Sequence, residues 1–431
     1  MKKLTTVLSL ALLLGLALCL LSSCGHEHEY AAEYAYDGAH HWHVPSCEHP
    51  EDEMPEIRDF GTHTMSEESV TVAPGCSTAG KKVSSCTVCG FEKSTVIPAT
   101  GEHVYEEGKT SYIVSDGVLY LQNLCDVCNT ATAKTPVTNS FVVKNATEAQ
   151  AALDAATEGT VIYLNATNYG TLYLRTSNTE STRFEMPEWA GGSGVVLLRE
   201  FKDLTILAAP GAKVDCFKIE ALTYTPGGNV HTNSKIPYLQ AAISLENVTI
   251  TGITFTGNAP TAIDLSGNVA VDGLTIDSCK MNDLDKDSRL LYRQGKTETM
   301  TANGVTVLTT AMKNITVTNC SVDGAYQFLE LRATENLTVT GNTLKNLAKH
   351  AILLAFDGTP YTGTVTITDN TVSGLAERFL RATNVSATLT VTGNTVTEYT
   401  GADDDIVKIT DSTGTVTVEG NTFPDGKTVT K

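Results

Sequence analysis

The sequence predicts an all-β chain: a parallel β-helix of about ten coils with an N-terminal capping helix, preceded by a small zinc-ribbon-like Cys/His module. Three observations carry this. A Thr-Val-Thr cassette recurs through the C-terminal half, with a short strand on either side of it. An Asn returns at one place in successive copies. Upstream, two Cys-x-x-Cys knuckles, Cys86/Cys89 and Cys125/Cys128, repeat at an offset of 39 residues. Composition agrees, since 431 residues with 41% hydrophobic content suffice for several domains and a sizeable core. The formal charge of −19 excludes nucleic acid as the main partner, because phosphate binding needs clustered Lys and Arg. It equally disfavours electrostatic adhesion to anionic lipid.

In chain order, Met1, Lys2 and Lys3 precede an apolar run from Leu10 to Leu21, the pattern of a secretory leader. The run is too short to span a bilayer comfortably. It ends Leu21-Ser22-Ser23-Cys24, which resembles a bacterial lipobox. That resemblance implies that residues 1–23 are a signal peptide and that the Cys24 thiol is acylated. The chain would then be held in the lipid bilayer of the cell envelope, at the outer membrane or cell surface. Each buried acyl methylene contributes about 0.8 kcal/mol to such an anchor.

Residues 24–138 read as an acidic stalk. From Gly25 to Thr138 there are 6 basic against 18 acidic side chains, with 8 of the 10 histidines and 6 of the 11 cysteines. A segment so poor in apolar runs needs metal or disulfide staples. Each knuckle sits between two strand-like runs, and thiolates suit tetrahedral zinc. One ligand set is Cys86, Cys89, Cys125 and Cys128; another is Cys76, Cys86, Cys89 and His103. Disulfides are the third reading, because an exported chain meets oxidising conditions. His41, His43, Cys47, His49 and His63 form a candidate second metal site, or else a solvated polar spacer.

The stretch from Pro74 to His103 holds a lone Cys76, the Cys86/Cys89 knuckle, the run Ile97-Pro98-Ala99-Thr100-Gly101, and His103. It is similar to a repeat found in surface proteins of anaerobic bacteria. His40 to His43 with Cys47, His49 and His63 resembles the companion unit. The resemblance implies a small metal-binding stalk module rather than a catalyst.

Residues 139–431 form the β-helix in this reading. The run from Thr147 to Ala156 is predicted to be a helix capped by Thr147, with Ala149, Ala152, Leu153 and Ala156 on its buried face. It would cover the edge of the first coil. The first apolar residue of each cassette falls at 248, 274, 315, 337, 365, 389 and 416, so the step of 41 is one coil carrying an insertion. Alternation puts Ile, Val and Leu inside and Thr outside. Asn342, Asn370, Asn394 and Asn421 mark one turn, where an Asn adopts the left-handed conformation and bonds its equivalents above and below. Cys279 and Cys320 take that place in two earlier coils, as packed thiols or as a disulfide.

This stretch resembles the right-handed parallel β-helix superfamily of pectate lyases and related proteins. That superfamily contains lyases, hydrolases, adhesins and inert repeats, so the likeness implies fold more than activity. Catalytic residues there project outward from the strand written here as Ala-Ile-x-Leu. The corresponding column reads Ser244, Asp264, Thr306, Glu330, Leu353 and Lys408. Asp264 and Glu330 fall two coils apart, roughly 9–10 Å, near the separation of an inverting glycosidase pair. Arg332 and Arg381 are candidate bases for β-elimination. Asp283, Asp285 and Asp287 alternate as calcium ligands would, without the Gly and Glu of an EF-hand loop. Two long insertions, 178–194 with Phe184, Met186 and Trp189, and 222–238 with Tyr224, His231 and Tyr238, offer aromatics for stacking on sugar rings.

The charges of the outward column are scattered among Ser, Thr and Leu, so no catalytic constellation stands out. The predicted function is therefore a lipid-anchored envelope protein whose β-helix binds polysaccharide or another extracellular surface ligand, adhesin-like and non-catalytic. The alternative is a polysaccharide lyase or glycoside hydrolase acting on the outward face.

Overall fold

The computed structural model describes residues 28–47, 57–105, 109–176, 181–185, 195–220, 239–256, 258–282, 288–293, 299–302, 305–332, 334–355 and 360–431. Cys24, His49, the candidate calcium ligands Asp283, Asp285 and Asp287, and most of the two aromatic insertions lie outside them. Phe184 falls in a described strand, Ser181–Glu185, which pairs with Val195–Lys202. The chain forms two compact units. One comprises Met1–Ser111 with Gln122–Ala133, the other Tyr112–Leu121 with Lys134–Lys431.

The larger unit is a parallel β-helix with three sheets. The first runs through ten strands from Ser140–Val143 to Val416–Glu419. The second holds nine, from Thr171–Arg175 to Thr428–Thr430, and the third seven, from Lys213–Val214 to Thr395–Tyr399. The cassette spacing fixes the register. Val248 stands beside Leu274, and that column continues through Ile315, Leu337, Val365, Leu389 and Val416. All but the last of these are fully buried, together with the Ile and Val two residues on. Each such side chain contributes roughly 1.5–3 kcal/mol by leaving water. The step of 41 residues does carry an insertion, an antiparallel hairpin of Thr299–Ala302 with Val305–Thr309.

The first coil is closed by a helix, α1, at Ala146–Ala155. Its buried face is the predicted one, with Ala149, Ala152, Leu153 and Ala156 all inside. Its cap is not Thr147 but Asn145, whose side chain accepts from the Glu148 N–H at 2.9 Å. Glu148 reaches back to accept the Lys144 N–H and the Asn145 side-chain amide, each at 2.7 Å, a variant of the capping box shifted one residue upstream. Leu119, on the strand Val118–Asn123, packs against Tyr163 and Leu207, which point outward from the first sheet.

The turn column is an asparagine ladder. Asn342 Nδ2 donates to Asn370 Oδ1, Asn370 to Asn394 and Asn394 to Asn421, at 2.9, 2.9 and 2.8 Å. Each Nδ2 also donates to a carbonyl of the coil before, Val317, Val339, Ile367 and Val391 in turn. Cys279 and Cys320 are free thiols that point at the equivalent carbonyls, Ile250 and Ile276. The left-handed residue is not the Asn, as expected, but the one before it: Gly341, Asp369, Gly393 and Gly420. That bend turns each ladder side chain inward, onto the axis of the coils. At Gly393 φ is +68° and a Cβ would lie 2.3 Å from Asp369 Oδ1, so only glycine fits there without movement.

The smaller unit is built differently. Two three-stranded antiparallel sheets follow one another, Ala35–Tyr36, His40–His43 and Arg58–Thr62, then Ser69–Val72, Gly80–Ser85 and Glu92–Ile97. A third sheet, of Thr110–Ser115, Val118–Asn123 and Thr135–Pro136, repeats the pattern, but its residues Tyr112–Leu121 and Thr135–Pro136 are counted in the larger unit. Both knuckles lie between the second and third strands of their sheet, Cys86/Cys89 in the second and Cys125/Cys128 in the third.

Candidate metal centres and the outer face of the second sheet

The two knuckles fold alike. Cys86 N–H donates to Phe91 O and Gly90 N–H to Cys86 O; Cys125 N–H donates to Thr130 O and Asn129 N–H to Cys125 O. Gly90 and Asn129 supply the left-handed residue that closes each turn. The result points two sulfurs to one side of the loop.

The structure does not bring the four knuckle cysteines together. It sorts the ligands into two clusters, His41, His63, Cys86 and Cys89, and Cys76, His103, Cys125 and Cys128. Within each cluster all ligand atoms lie within 4.8 Å of one another. In the first, Cys89 Sγ is 3.3 Å from His63 Nδ1 and Cys86 Sγ is 4.0 Å from His41 Nδ1. In the second, Cys76 Sγ is 3.4 Å from Cys125 Sγ, and Cys128 Sγ is 3.2 Å from His103 Nδ1. The alternative set of Cys76, Cys86, Cys89 and His103 is likewise divided between the two. Of the five-residue His-rich set, His41 and His63 join the first cluster. His43 stands aside with its ring 3.9 Å from Tyr34, and Cys47 lies 3.7 Å from His28 Nδ1.

The electrostatics of both clusters favour a cation. Burial raises the Cys86 thiol, but the N–H groups of Cys89 and Val88 and the His63 ring outweigh it and bring it down to about 6. Cys125 is likewise brought down to about 5, against its burial, by the N–H groups of Cys128 and Val127 and by His103. Cys76 is pushed up to about 11 by burial and by the two neighbouring sulfurs. His63 Nε2 lies 2.9 Å from Asp37 O, a carbonyl that can only accept. Nε2 therefore carries a proton, and Nδ1, which faces Cys89, is left as the ligand atom, the orientation of a metal-bound imidazole. These clusters can hold a metal ion.

The second sheet supplies the other candidate site. Its outward column, read from the pairing, is Tyr173, Lys218, Asp264, Tyr292, Glu330, Leu353, Arg381, Lys408 and Thr430. Two residues of the sequence column are misplaced. Ser244 belongs to the first sheet, and Thr306 to the inserted hairpin, whose alternating valines mimic a coil strand. Tyr292 takes the vacated place, and Arg381 falls in register beside Leu353.

Asp264 and Glu330 are indeed two coils apart, with Tyr292 between them. Glu330 is buried and its carboxylate is held by Arg289 Nε at 2.7 Å. The Arg289 guanidinium lies 5.1 Å from the Tyr292 ring and 4.8 Å from that of Tyr326. Arg332 sits two residues beyond Glu330 and is half-buried. A cleft of about 230 Å³ opens beside Asp264, between Lys218, Pro260 and Ser266. On the C-terminal coils, Arg378 bridges Asp403 and Asp405 at 2.7 Å each.

No curated protein matches this chain. One similar solved structure is a family 28 exopolygalacturonase of Yersinia enterocolitica, 10% identical over 81% of this chain and 91% of that one. Its TM-score is 0.28, a likeness that carries no argument about this chain. Residues 241–423, from the long first-sheet strand to the last turn of the ladder, match the family model described as right handed beta helix region.

Proposed function

We propose that this chain is an envelope protein, held by an acylated Cys24, whose β-helix binds polysaccharide on the outer face of the second sheet without cleaving it. The observation that carries the reading is the Arg289–Glu330 pair under Tyr292 and Tyr326. Hydrolysis needs two carboxyl groups free to act as acid and base or nucleophile. Here one carboxylate of the Asp264–Glu330 pair is committed to a guanidinium. That guanidinium in turn stiffens two aromatic rings, and rigid rings beside charged groups suit stacking on a sugar chain. The coil spacing of about 4.8 Å offers successive sugars a repeating set of polar and aromatic groups. The same reading takes the Cys/His clusters as structural zinc sites, because thiolate and imidazole ligands in a closed set of four suit zinc.

The second reading, a polysaccharide lyase or glycoside hydrolase on the same face, rests on Asp264 beside its cleft and Arg381 in the column. One experiment separates the two. The full chain is incubated with a panel of uronic-acid and neutral polysaccharides, and both retention and products are measured. The expected result is retention of one class, weakened at least tenfold by Tyr292→Ala, with no new reducing ends or unsaturated uronates. Products that vanish with Glu330→Gln or Arg332→Ala would replace binding by catalysis. Retention of none would remove the reading.

A further inference from the structure

The two Cys/His clusters draw on the chain in one pattern. In the first, His41 and His63 come from the first three-stranded sheet, on and just past its strands, while Cys86 and Cys89 are the knuckle of the second sheet. In the second, Cys76 and His103 come from the second sheet, in its first turn and after its last strand, while Cys125 and Cys128 are the knuckle of the third. Each cluster therefore takes two ligands from one repeat and two from the next. A backbone bond accompanies each crossing. Thr87 N–H donates to Thr64 O at 2.9 Å, and Asp126 N–H to Val104 O at 3.0 Å. In both, the residue after the knuckle's first Cys donates to the residue after the His.

From these juxtapositions we infer that each repeat of the N-terminal unit is stapled to the next by its own zinc-class ion, the first bound by two thiolates and two imidazoles, the second by three thiolates and one imidazole. This rests on the zinc reading of the clusters and is independent of what the β-helix binds. The dimensions agree with it. A tetrahedron with Zn–S near 2.3 Å and Zn–N near 2.0 Å has edges of about 3.3–3.8 Å, and the closest ligand pairs span 3.2 to 4.0 Å. His41, Cys86, Cys76 and Cys125 are buried, so each site is closed on its inner side, as structural zinc sites are. The ligands also interleave along the chain, since Cys76 of the second site precedes the Cys86 knuckle of the first. The segment 76–89 thus serves both ions, which makes the repeats a braced series rather than beads.

The test is metal content and cobalt spectroscopy on the full chain purified in detergent. Two zinc ions per chain are expected. Cys89→Ser and His63→Ala each leave one ion, held by three thiolates; Cys128→Ser and His103→Ala each leave one, held by two. With cobalt in place of zinc, the thiolate-to-metal absorption of the two remaining sites then stands near 3 to 2. His63→Cys, which offers a thiolate at the same place, keeps two ions and strengthens the absorption of the first site, which guards against loss of metal through misfolding alone. A single ion per chain, lost with either knuckle substitution, overturns the stapling but not the zinc reading. A chain without metal overturns both, whether its knuckle thiols are free or oxidised.

Discussion

The two units of this chain hold together by different means. In the N-terminal unit, the buried apolar side chains among the described residues are Cys76, Cys86 and Cys125. Phe60, Val70, Val72 and Val96 of the same unit stand more than half exposed. Its centre is made of ligands. The β-helix instead buries an unbroken stack of Ile, Val, Leu and Phe from Val143 to Ile409. From residue 139 on, Val429 on the last strand is its large exposed aliphatic among the described residues. Three-stranded sheets of about 40 residues are too small to bury a core of their own, whereas a coil that cannot stand alone gains its core from the coil above it. One unit is local and centred on Cys and His side chains, the other periodic and apolar.

Removal of metal should therefore break one unit and spare the other, and this is the largest effect expected. Structural zinc in small domains contributes about 10–16 kcal/mol, more than such a unit has from packing. Limited proteolysis of the full chain, with and without a strong chelator, reads the difference. Chelation should open cleavage sites within residues 57–111 and 122–133 and leave Tyr112–Leu121 and the chain from Lys134 on protected. A chelated chain as resistant as the untreated one would erase the distinction between the units.

Within the β-helix the next largest effect belongs to the ladder. Asn370 is buried, donates to Asn394 and Val339 and accepts the Asn342 N–H at 3.1 Å. Its own amide is a partner of Asn342 as well, through Oδ1. Asn370→Ala removes these bonds and takes the acceptor from the buried Asn342 N–H, at about 3 kcal/mol, from roughly 1 kcal/mol per bond and a larger share for the unsatisfied group. Denaturant unfolding should show this loss with no change in the resistance of the N-terminal unit. A loss under about 1 kcal/mol would mean that water replaces the side chain and that apolar stacking alone sets the stability of the coils.

The sequence showed the periodic unit better than the local one, and the reason is physical. A coil is a nearest-neighbour object, so its register is written in consecutive cassettes, and every cassette position from Val248 to Val416 stacked as the spacing implied. The column failed at Ser244, which the long strand Leu239–Thr251 keeps in the first sheet, and at Thr306, where an insertion imitates the pattern: Val305 and Val307 alternate like a coil strand, and so hid Tyr292. The left-handed turn residue was assigned one place too late because Asn and Gly both suit such turns, and only burial of the Asn separates them. A metal site is a long-range object. The knuckles are visible in the sequence, but their partners lie 22 or more residues upstream with no local signature. A signal was present all the same. His63 and His103 are 40 residues apart, nearly the 39 of the knuckles, and that common shift pairs each His with the knuckle that follows it.

The smallest effect separates the units by pH. His350 lies buried in the β-helix, where its Nδ1 accepts the Arg378 N–H at 3.3 Å and its Nε2 faces Glu377 at 3.2 Å. Burial brings its pKa down to about 4; Glu377 opposes this, and Arg381, Arg378 and Lys349 reinforce it. The unfolded chain protonates this ring near 6.5, so between those two values the unfolded state binds the proton and the folded state does not. Stability is then full above pH 6.5 and falls as pH drops toward 4, by up to about 3 kcal/mol and less if Glu377 relaxes onto the charged ring. His350→Gln keeps an acceptor for Arg378 and a donor for Glu377 but cannot titrate. Denaturant midpoints of the β-helix, taken from pH 7.5 to 4.5, should fall more steeply for the wild-type chain than for this variant, the gap opening below pH 6.5. Parallel profiles would show that His350 is charged inside the fold, and that the carboxylates alone govern how this unit responds to acid.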